Sequence, residues 1–392
     1  MIARDRGREI GSRAVPNGRH LDIGFWFPRP ERGARLAQEL RQRGHQVTIY
    51  HSVPVPGYQR YVHHVDYGIL AGLRALGKVS HDVMYTSGAF LPVLQLRVHK
   101  WRSGRPYVFV LNGAIWSYYG ERRPSSLGSR AMGALYPWLL RVALRGADAV
   151  VANSRYLADD IKARFPITAD KTSAIYNGID FDAMEGASPR GDAWASGDTR
   201  FLSVVTLNFE RKTDGVRLLL DAFDSISRRH EAATYLIAAK SESPDMLGRV
   251  RAHLAGLPCR DRVRIETNRD DVPDLLAAAD LFLYATPADS SDSLPRALLE
   301  AQAAGVPTVT TDTTGCGEAV LDGETGRVIP YDADAVADAA LSLLQDRDLA
   351  SQLAANGKVS VRERFSWDAM ARAYEDTFLR ISAVEPVDAV KA

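Results

Sequence analysis

The strongest constraint on the fold is a repeated alternation of short apolar segments with helical patterns. Strand candidates in the first half are Leu21–Phe27, Val47–Tyr50, His81–Thr86, Tyr107–Leu111, Asp148–Ala152 and Ser173–Tyr176. The second half adds Arg200–Thr206, Thr234–Ala239, Arg262–Glu266, Asp280–Ala285 and Pro307–Thr311. Apolar strands with helices between them are typical of parallel sheets covered on both faces. The sequence therefore predicts an α/β fold in which two Rossmann-like, doubly wound domains face each other.

A segment rich in Gly, Ser, Ala and Asp, Glu185–Arg200, separates the two halves and has the composition of a linker. The predicted organisation is a disordered leader (1–20), an N-terminal domain (21–186), a linker (187–199), a C-terminal domain (200–365) and a final helix (366–385). The final helix begins after Ser366, a suitable N-cap. It either packs on its own domain or crosses back to the N-terminal domain, and we predict the crossing.

The composition is that of a globular protein, with 46% hydrophobic and 25% charged residues among 392. Two cysteines cannot cross-link so long a chain, which favours a reduced protein in the cytoplasm. The charge is uneven: residues 1–186 hold 26 Lys or Arg and 15 Asp or Glu, whereas the remainder holds 23 and 33. The basic half could bind anionic lipid, phosphorylated acceptors or nucleic acid, or the two halves could simply attract each other. The Arg-rich leader has no interleaved aromatic residues, so we expect no nucleic-acid partner.

The segment richest in chemistry is Pro287–Pro307, reading PADSSDSLPRALLEAQAAGVP. A polar loop follows a strand and leads into a helix predicted over Pro295–Ala304, with Pro at its first position. The free N–H groups and dipole of such a helix end form an anion site. Glu300 lies about 7–8 Å along that helix, at ~1.5 Å per residue, where it could accept both hydroxyls of a ribose. Alternatively, Glu300 is a surface residue paired with Arg296.

A second cluster, Asn208–Asp214, follows the first strand of the second half. Arg211 and Lys212 are predicted to lie in the loop before a helix over Asp214–Arg229. That loop faces the ligand crevice of a doubly wound sheet, where cations can neutralise a diphosphate. The alternative is a solvated turn. NAD-binding, P-loop and nucleophile-elbow signatures do not occur, and the histidines lack metal-ligand spacing.

Several ordered motifs resemble the retaining glycosyltransferases of the GT-B fold, family four. They are DSLPRALLEAQAAGVPTV (Asp292–Val309), YNGID (Tyr176–Asp180), AVVANS (Ala149–Ser154), GEAVLDGETGRVIP (Gly317–Pro330) and FSWDAMARAY (Phe365–Tyr374). The likeness covers most of residues 20–385. It implies two Rossmann-like domains with a C-terminal helix returning to the first, and transfer of a sugar from a nucleotide diphosphate with retention of anomeric configuration.

The resemblance implies roles for residues on the donor side. Lys212 matches the lysine that neutralises the donor diphosphate, and Asp292 matches the acid that contacts the donor sugar. Glu300 matches the acid that holds the ribose, while Ser293, Leu294 and Arg296 match the loop that approaches sugar and phosphate. Base contacts are expected from Glu266–Arg269, including Asn268. Leu207 stands where the family usually has Arg, which leaves Arg211 as a substitute.

On the acceptor side, Gly33 closes a loop that departs from the family's Gly-rich pattern, and Asn112-Gly113 replaces the usual His-Gly. We therefore predict catalytic roles for Lys212, Asp292 and Asn112, with Gly33, Asn112 and Gly113 on the acceptor side. No metal and no cofactor beyond a UDP- or GDP-sugar co-substrate are expected. The acceptor would be a glycan, a lipid-linked molecule or a small molecule.

An apolar stretch flanked by arginines, Ala134–Leu144, contains Trp138 and is either a core helix or an interfacial helix touching anionic lipid. The interfacial alternative predicts a peripheral contact with the inner face of the membrane. Two other functions remain open: a catalytically silent nucleotide- or glycan-binding subunit, and another GT-B enzyme such as a sugar epimerase or phosphorylase.

Overall fold

The computed structural model describes residues 19–53, 62–66, 68–87, 90–113, 127–195, 198–208, 210–241, 243–290 and 292–383. Most of the leader predicted over 1–20 lies outside these residues. The described part contains two parallel sheets, which confirms the predicted fold class. Because every pairing within each sheet is parallel, the carboxyl ends of neighbouring strands meet at one edge.

The first sheet has seven strands in the order β3-β2-β1-β4-β5-β6-β7. Its strands are β1 (Asp22–Trp26), β2 (Gln46–His51), β3 (Val62–His64), β4 (Val83–Ser87), β5 (Tyr107–Leu111), β6 (Ala149–Ala152) and β7 (Thr172–Ala174). Its helices are α1 (Pro30–Gln42), α2 (Ile69–Leu76), α3 (Phe90–Ser103), α4 (Leu127–Gly146), α5 (Arg155–Arg164) and α6 (Phe181–Glu185).

The second sheet has six strands in the order β10-β9-β8-β11-β12-β13. Its strands are β8 (Thr199–Thr206), β9 (Ala233–Lys240), β10 (Val263–Thr267), β11 (Leu281–Tyr284), β12 (Thr308–Thr311) and β13 (Arg327–Ile329). The helices from here to the end are α7 (Glu210–Arg229), α8 (Pro244–Ala255), α9 (Val272–Ala278), α10 (Arg296–Ala303), α11 (Cys316–Ala319), α12 (Ala333–Gln345), α13 (Arg347–Arg364) and α14 (Trp367–Ser382).

Each sheet is covered on both faces, as its apolar strands require. On one face of the first sheet, side chains from α2, α3, α4 and α5 form a single buried cluster. On the other face, α1 and α14 form a second cluster with β1 and β4. The second sheet divides its helices in the same way, with α7 and α12 on one face and α9 and α10 on the other.

The C-terminal helix α14 crosses back to the first domain, as predicted. Tyr374 and Phe378 are buried against Tyr85 of β4, with ring centroids 5.6 and 6.4 Å away. The carboxylate of Glu375, also buried, accepts bonds from Arg43 Nε at 2.8 Å and His45 Nε2 at 2.9 Å. This ion pair and the aromatic contacts fix α14 on the first domain.

Two helices of the second domain begin at other residues than the sequence predicts. The helix expected over Asp214–Arg229 begins at Glu210, so Arg211 and Lys212 lie in its first turn rather than in a loop. An acidic residue at a helix N-terminus is stabilised by the helix dipole, which favours the earlier start. The helix expected from Pro295 begins at Arg296, and Pro295 is its N-cap.

The linker prediction of 187–199 covers a segment that packs closely on the second domain. Ser188 N–H donates to Asp274 Oδ1 at 2.8 Å, and the buried indole of Trp194 donates to the Phe201 carbonyl at 2.8 Å. A Gly- and Ser-rich composition therefore does not prevent this segment from being anchored, because one buried aromatic side chain holds it in place.

Candidate active site

A cavity of about 370 Å³ lies between the carboxyl ends of the two sheets. The second domain supplies most of its walls, from the ends of β8, β9 and β11 and from the start of α10. The first domain contributes Arg32, Asn112 and Asn153. A site between the carboxyl ends of two doubly wound sheets is where this architecture places a ligand.

The N-terminus of α10 points its first N–H groups at this cavity. Arg296 and Ala297, in the first turn, have no helical partner for their N–H groups. The preceding loop is pressed against the backbone of Gly315, where an added Cβ would lie 1.8 Å from the Ser293 carbonyl oxygen. Ser293 Oγ donates to Asn153 Oδ1 at 2.7 Å, so this loop also touches the first domain. The helix end is therefore held in place by a glycine behind it and an asparagine across the cleft.

Lys212 and Asp292, predicted from separate motifs, meet in the cavity. Lys212 Nζ lies 2.8 Å from Asp292 Oδ1, and the two side chains are 16% and 14% exposed. The hydroxyl of Tyr284 donates to the other carboxylate oxygen at 2.6 Å. Burial and the neighbouring Asp292 raise the pKa of Tyr284 well above its ordinary value, so it remains a donor at neutral pH.

Glu300 pairs with Arg296, as one interpretation of its sequence context predicts, and its role toward a ribose stays a prediction. Its carboxylate pairs with Arg296, with 2.7 Å between Arg296 Nε and Glu300 Oε1. It also lines the cavity and is 18% exposed, rather than a solvated surface residue. Burial raises the pKa of the Glu300 carboxyl, and Arg296 opposes this shift.

Arg32 reaches the cavity from α1 of the first domain. Its guanidinium donates to Asn112 Oδ1 at 3.2 Å, and Asn177 Nδ2 donates to the same oxygen at 3.3 Å. Burial, followed by the positive charges of Arg29 and Arg296, lowers the pKa of Arg32. Within the described ranges no carboxylate pairs with Arg32, so its positive charge is available to a ligand.

Four predicted site residues do not line this cavity. Arg211 turns to Asp289, with 2.6 Å between Nη2 and Oδ2. Asn268 takes a positive φ of 56°, and its Oδ1 accepts from the Ser241 N–H at 3.3 Å. Gly33 lies within α1 against Pro28, and Gly113 is buried just beyond β5. Their assigned roles stay predictions.

Sequence reasoning missed several residues of the cavity wall: Arg32, Asn153, Lys240 and Tyr284. Three of them lie at or just after the carboxyl end of a strand: Asn153 follows β6, Lys240 ends β9 and Tyr284 ends β11. Polar residues at strand ends were a usable signal, because those ends face the crevice. Arg269 belongs to the segment Glu266–Arg269 from which base contacts were predicted; it lines the cavity and is held by ion pairs with Glu266 and Asp271.

Two doubly wound domains with a ligand cleft between them, and a final helix that returns to the first domain, define the GT-B class of fold. The family comparisons agree with this class. One family model, Glycosyl transferases group 1, matches residues 200–346, and a second, Glycosyltransferase Family 4, matches residues 34–183. The chain belongs to the family-four, group 1 glycosyltransferases and is a glycosyltransferase.

Characterised relatives share about a quarter of their residues with this chain. Alpha-maltose-1-phosphate synthase of Mycolicibacterium smegmatis is 26% identical, over 85% of this chain and 90% of its own length. Phosphatidyl-myo-inositol mannosyltransferase of Mycobacterium leprae is 24% identical, over 87% and 91%.

Solved structures share the fold at lower identity. A glycosyltransferase from Rickettsia africae has a TM-score of 0.74 at 17% identity, covering 92% of this chain and 98% of that chain. Anabaena HepE in complex with UDP-glucose has a TM-score of 0.68 at 17% identity, covering 92% and 100%.

Proposed function

We propose that this protein transfers a sugar from a UDP- or GDP-sugar to an acceptor hydroxyl with retention of anomeric configuration. The observation that carries the proposal is the convergence of three groups on one cavity: the N-terminus of α10, the Lys212–Asp292 pair and Glu300. A helix N-terminus and a lysine suit a diphosphate, and a carboxylate further along the same helix suits a ribose.

Departure of the nucleotide places negative charge on the diphosphate and positive charge on the sugar. Lys212 and the first-turn N–H groups of α10 stabilise the diphosphate oxygens. Such donors act strongly because they are fixed in position before the charge develops. Arg32, a cation without a carboxylate partner among the described residues, supplies a further positive charge from the first domain. We assign to Arg32 the role of second cation that the family resemblance suggested for Arg211, because Arg211 pairs with Asp289.

Asp292 orients the donor sugar. Its carboxylate is held between Lys212 and Tyr284. An acid held in this way is poorly placed as a covalent nucleophile, since both oxygens already accept hydrogen bonds. We therefore favour attack of the acceptor on the same face of the sugar, assisted by the leaving phosphate. The cationic side chains and the helix end would serve this reaction without a resident metal ion or other cofactor.

The acceptor binds on the first-domain side of the cleft, near Asn112. We propose a glycan, a lipid-linked molecule or a small molecule as acceptor, a role in polysaccharide assembly, and a cytoplasmic protein that contacts the membrane peripherally. Among the described residues, no helix is both long and apolar enough to cross a bilayer.

A thermal-shift screen of UDP- and GDP-sugars, followed by a nucleotide-release assay with the best donor, tests the proposal. We expect a donor-dependent rise in melting temperature and turnover that increases with acceptor. Nucleotide binding without hydrolysis or transfer would favour a silent binding subunit. Conversion of the free nucleotide sugar to an isomer would identify an epimerase.

A further inference from the structure

The first domain has one helical face whose charge and polarity differ from the rest of the molecule. We call α2, α3 and α4 the basic helix layer; α3 packs between the other two, on the face of the sheet away from α14. The three helices contain seven Lys or Arg and no Asp or Glu. By comparison, α7 alone carries four acidic residues among its 20.

The basic helix layer also exposes most of the large apolar side chains that face solvent. Of ten such side chains among the described residues, six lie on these three helices: Ile69, Leu70, Val98, Trp101, Leu135 and Trp138. Trp101 is 84% exposed and Trp138 is 59% exposed. Soluble surfaces rarely gather apolar groups in this way without a partner.

Four arginines of this layer form no ion pair within the described parts of the protein. Within the described residues, no carboxylate lies within ion-pair distance of Arg74, Arg102, Arg141 or Arg145. Arg97 donates only to the Val142 carbonyl. A groove of about 320 Å³ runs between α3, α4 and the turn after α5. Its walls are Arg97, Arg141 and Arg145 together with Trp138, Phe165 and Ile167.

We propose that the basic helix layer docks on the surface of an anionic phospholipid bilayer. Arginine side chains are attracted to anionic headgroups, and tryptophan prefers the interface between headgroups and acyl chains. The three helices contain no carboxylate of their own, and the adjacent Asp148 is paired with Lys100, so little negative charge on this face would repel that membrane. This inference rests on the peripheral location proposed above and names the surface responsible. It extends the sequence expectation from the single stretch Ala134–Leu144 to three helices.

Sedimentation with vesicles tests the proposal in the absence of nucleotide. The probes are phosphatidylcholine vesicles and vesicles of phosphatidylcholine with phosphatidylglycerol at a ratio of about 7:3, each at low and high salt. Wild-type protein should sediment with the anionic vesicles at low salt and be released by salt. Failure to bind anionic vesicles at low salt overturns the proposal.

Two variant pairs identify the surface. Arg141→Glu with Arg145→Glu should weaken vesicle binding by about thirtyfold or more, because each basic residue near such a surface contributes roughly a factor of five to ten. Trp101→Ala with Trp138→Ala should weaken the binding that remains at moderate salt. The matched control, Arg251→Glu with Arg347→Glu, makes the same charge change on exposed sites of the second domain and should bind like wild type.

Further outcomes would contradict the docking surface or the proposed transferase. Equal loss in the control pair would show that net charge alone acts, and would contradict a localised surface. A salt-insensitive dimer that the tryptophan variants abolish would assign the layer to contacts between copies of the chain. Each variant is also titrated with the donor nucleotide sugar. Intact nucleotide binding without vesicle binding defeats only the docking surface, and vesicle binding without nucleotide binding defeats only the proposed transferase.

Discussion

Replacement of Lys212 by Ala tests whether this lysine has a catalytic role or only a structural one. Lys212 is largely buried, and its ammonium contacts Asp292 in the cavity that the N-terminus of α10 also lines. Removing one fixed donor from a developing oxyanion typically costs about 10²–10³ in turnover. We therefore expect the turnover number of Lys212→Ala to fall by that factor.

The same substitution should change stability much less. The lost hydrogen bond to a charged group is worth about 1.5–3 kcal/mol. Lys212 lies in the first turn of α7, where a cation is unfavourable by about 0.3–1 kcal/mol, so its removal partly offsets the loss. The net cost is on the order of 1–2 kcal/mol, or a few degrees in melting temperature. The variant should stay folded at 25 °C.

The assay measures nucleotide release from the donor that gives the largest thermal shift. Lys240→Ala is the matched control, because Lys240 lines the same cavity but is exposed and belongs to β9. We expect the control to lose less than about threefold. A double-mutant cycle of Lys212→Ala with Asp292→Asn then tests whether the lysine acts beyond its ion pair. Turnover of Lys212→Ala within threefold of wild type, or an equal loss in the control, would refute the assignment.

Three further predictions concern groups around the cleft. Burial raises the pKa of Glu300, and ribose binding needs its ionised form. Affinity for a nucleotide sugar should therefore decline on acidification at a higher pH than for an ordinary glutamate, whose pKa is near 4.5. Calorimetry should show that the Glu300→Gln variant binds the nucleotide sugar more weakly and without this pH dependence. Gly315→Ala, whose Cβ would collide with the Ser293 carbonyl, should displace the donor loop and weaken nucleotide binding at least tenfold, whereas Gly248→Ala, in open space on α8, should not. Glu318 accepts the N–H groups of Arg155 and Tyr156 at 2.8 and 2.6 Å across the domain interface, so Glu318→Ala should favour opening of the cleft and increase the radius of gyration in X-ray scattering.

The parallel sheets could be predicted because their strands are apolar on both faces, as Tyr107–Leu111 illustrates: all five residues are buried. The start of α7 could not be read as easily. Asn208–Asp214 has no apolar periodicity, and the helix is extended N-terminally through Glu210. The packing of Trp194 on Phe201 depends on a tertiary contact that local composition does not reveal.

For the site, Lys212, Asp292 and Glu300 could be predicted because each belongs to a motif with characteristic neighbours. Their meeting in one cavity is visible only in three dimensions. Arg211 lies beside Lys212 in the same motif; its pairing with Asp289 depends on a tertiary contact that the motif does not reveal, and its donor-binding role stays a prediction. Arg32 was passed over although its neighbour Gly33 was predicted, because only the domain arrangement shows that the Arg32 side chain reaches Asn112 and the cavity.

The most direct test of the central claim is a crystal structure with the bound UDP- or GDP-sugar. The diphosphate should lie about 3 Å from Lys212 Nζ and from the first N–H groups of α10, with the ribose hydroxyls on Glu300. A donor that binds elsewhere, or a diphosphate that contacts neither Lys212 nor the start of α10, would contradict it.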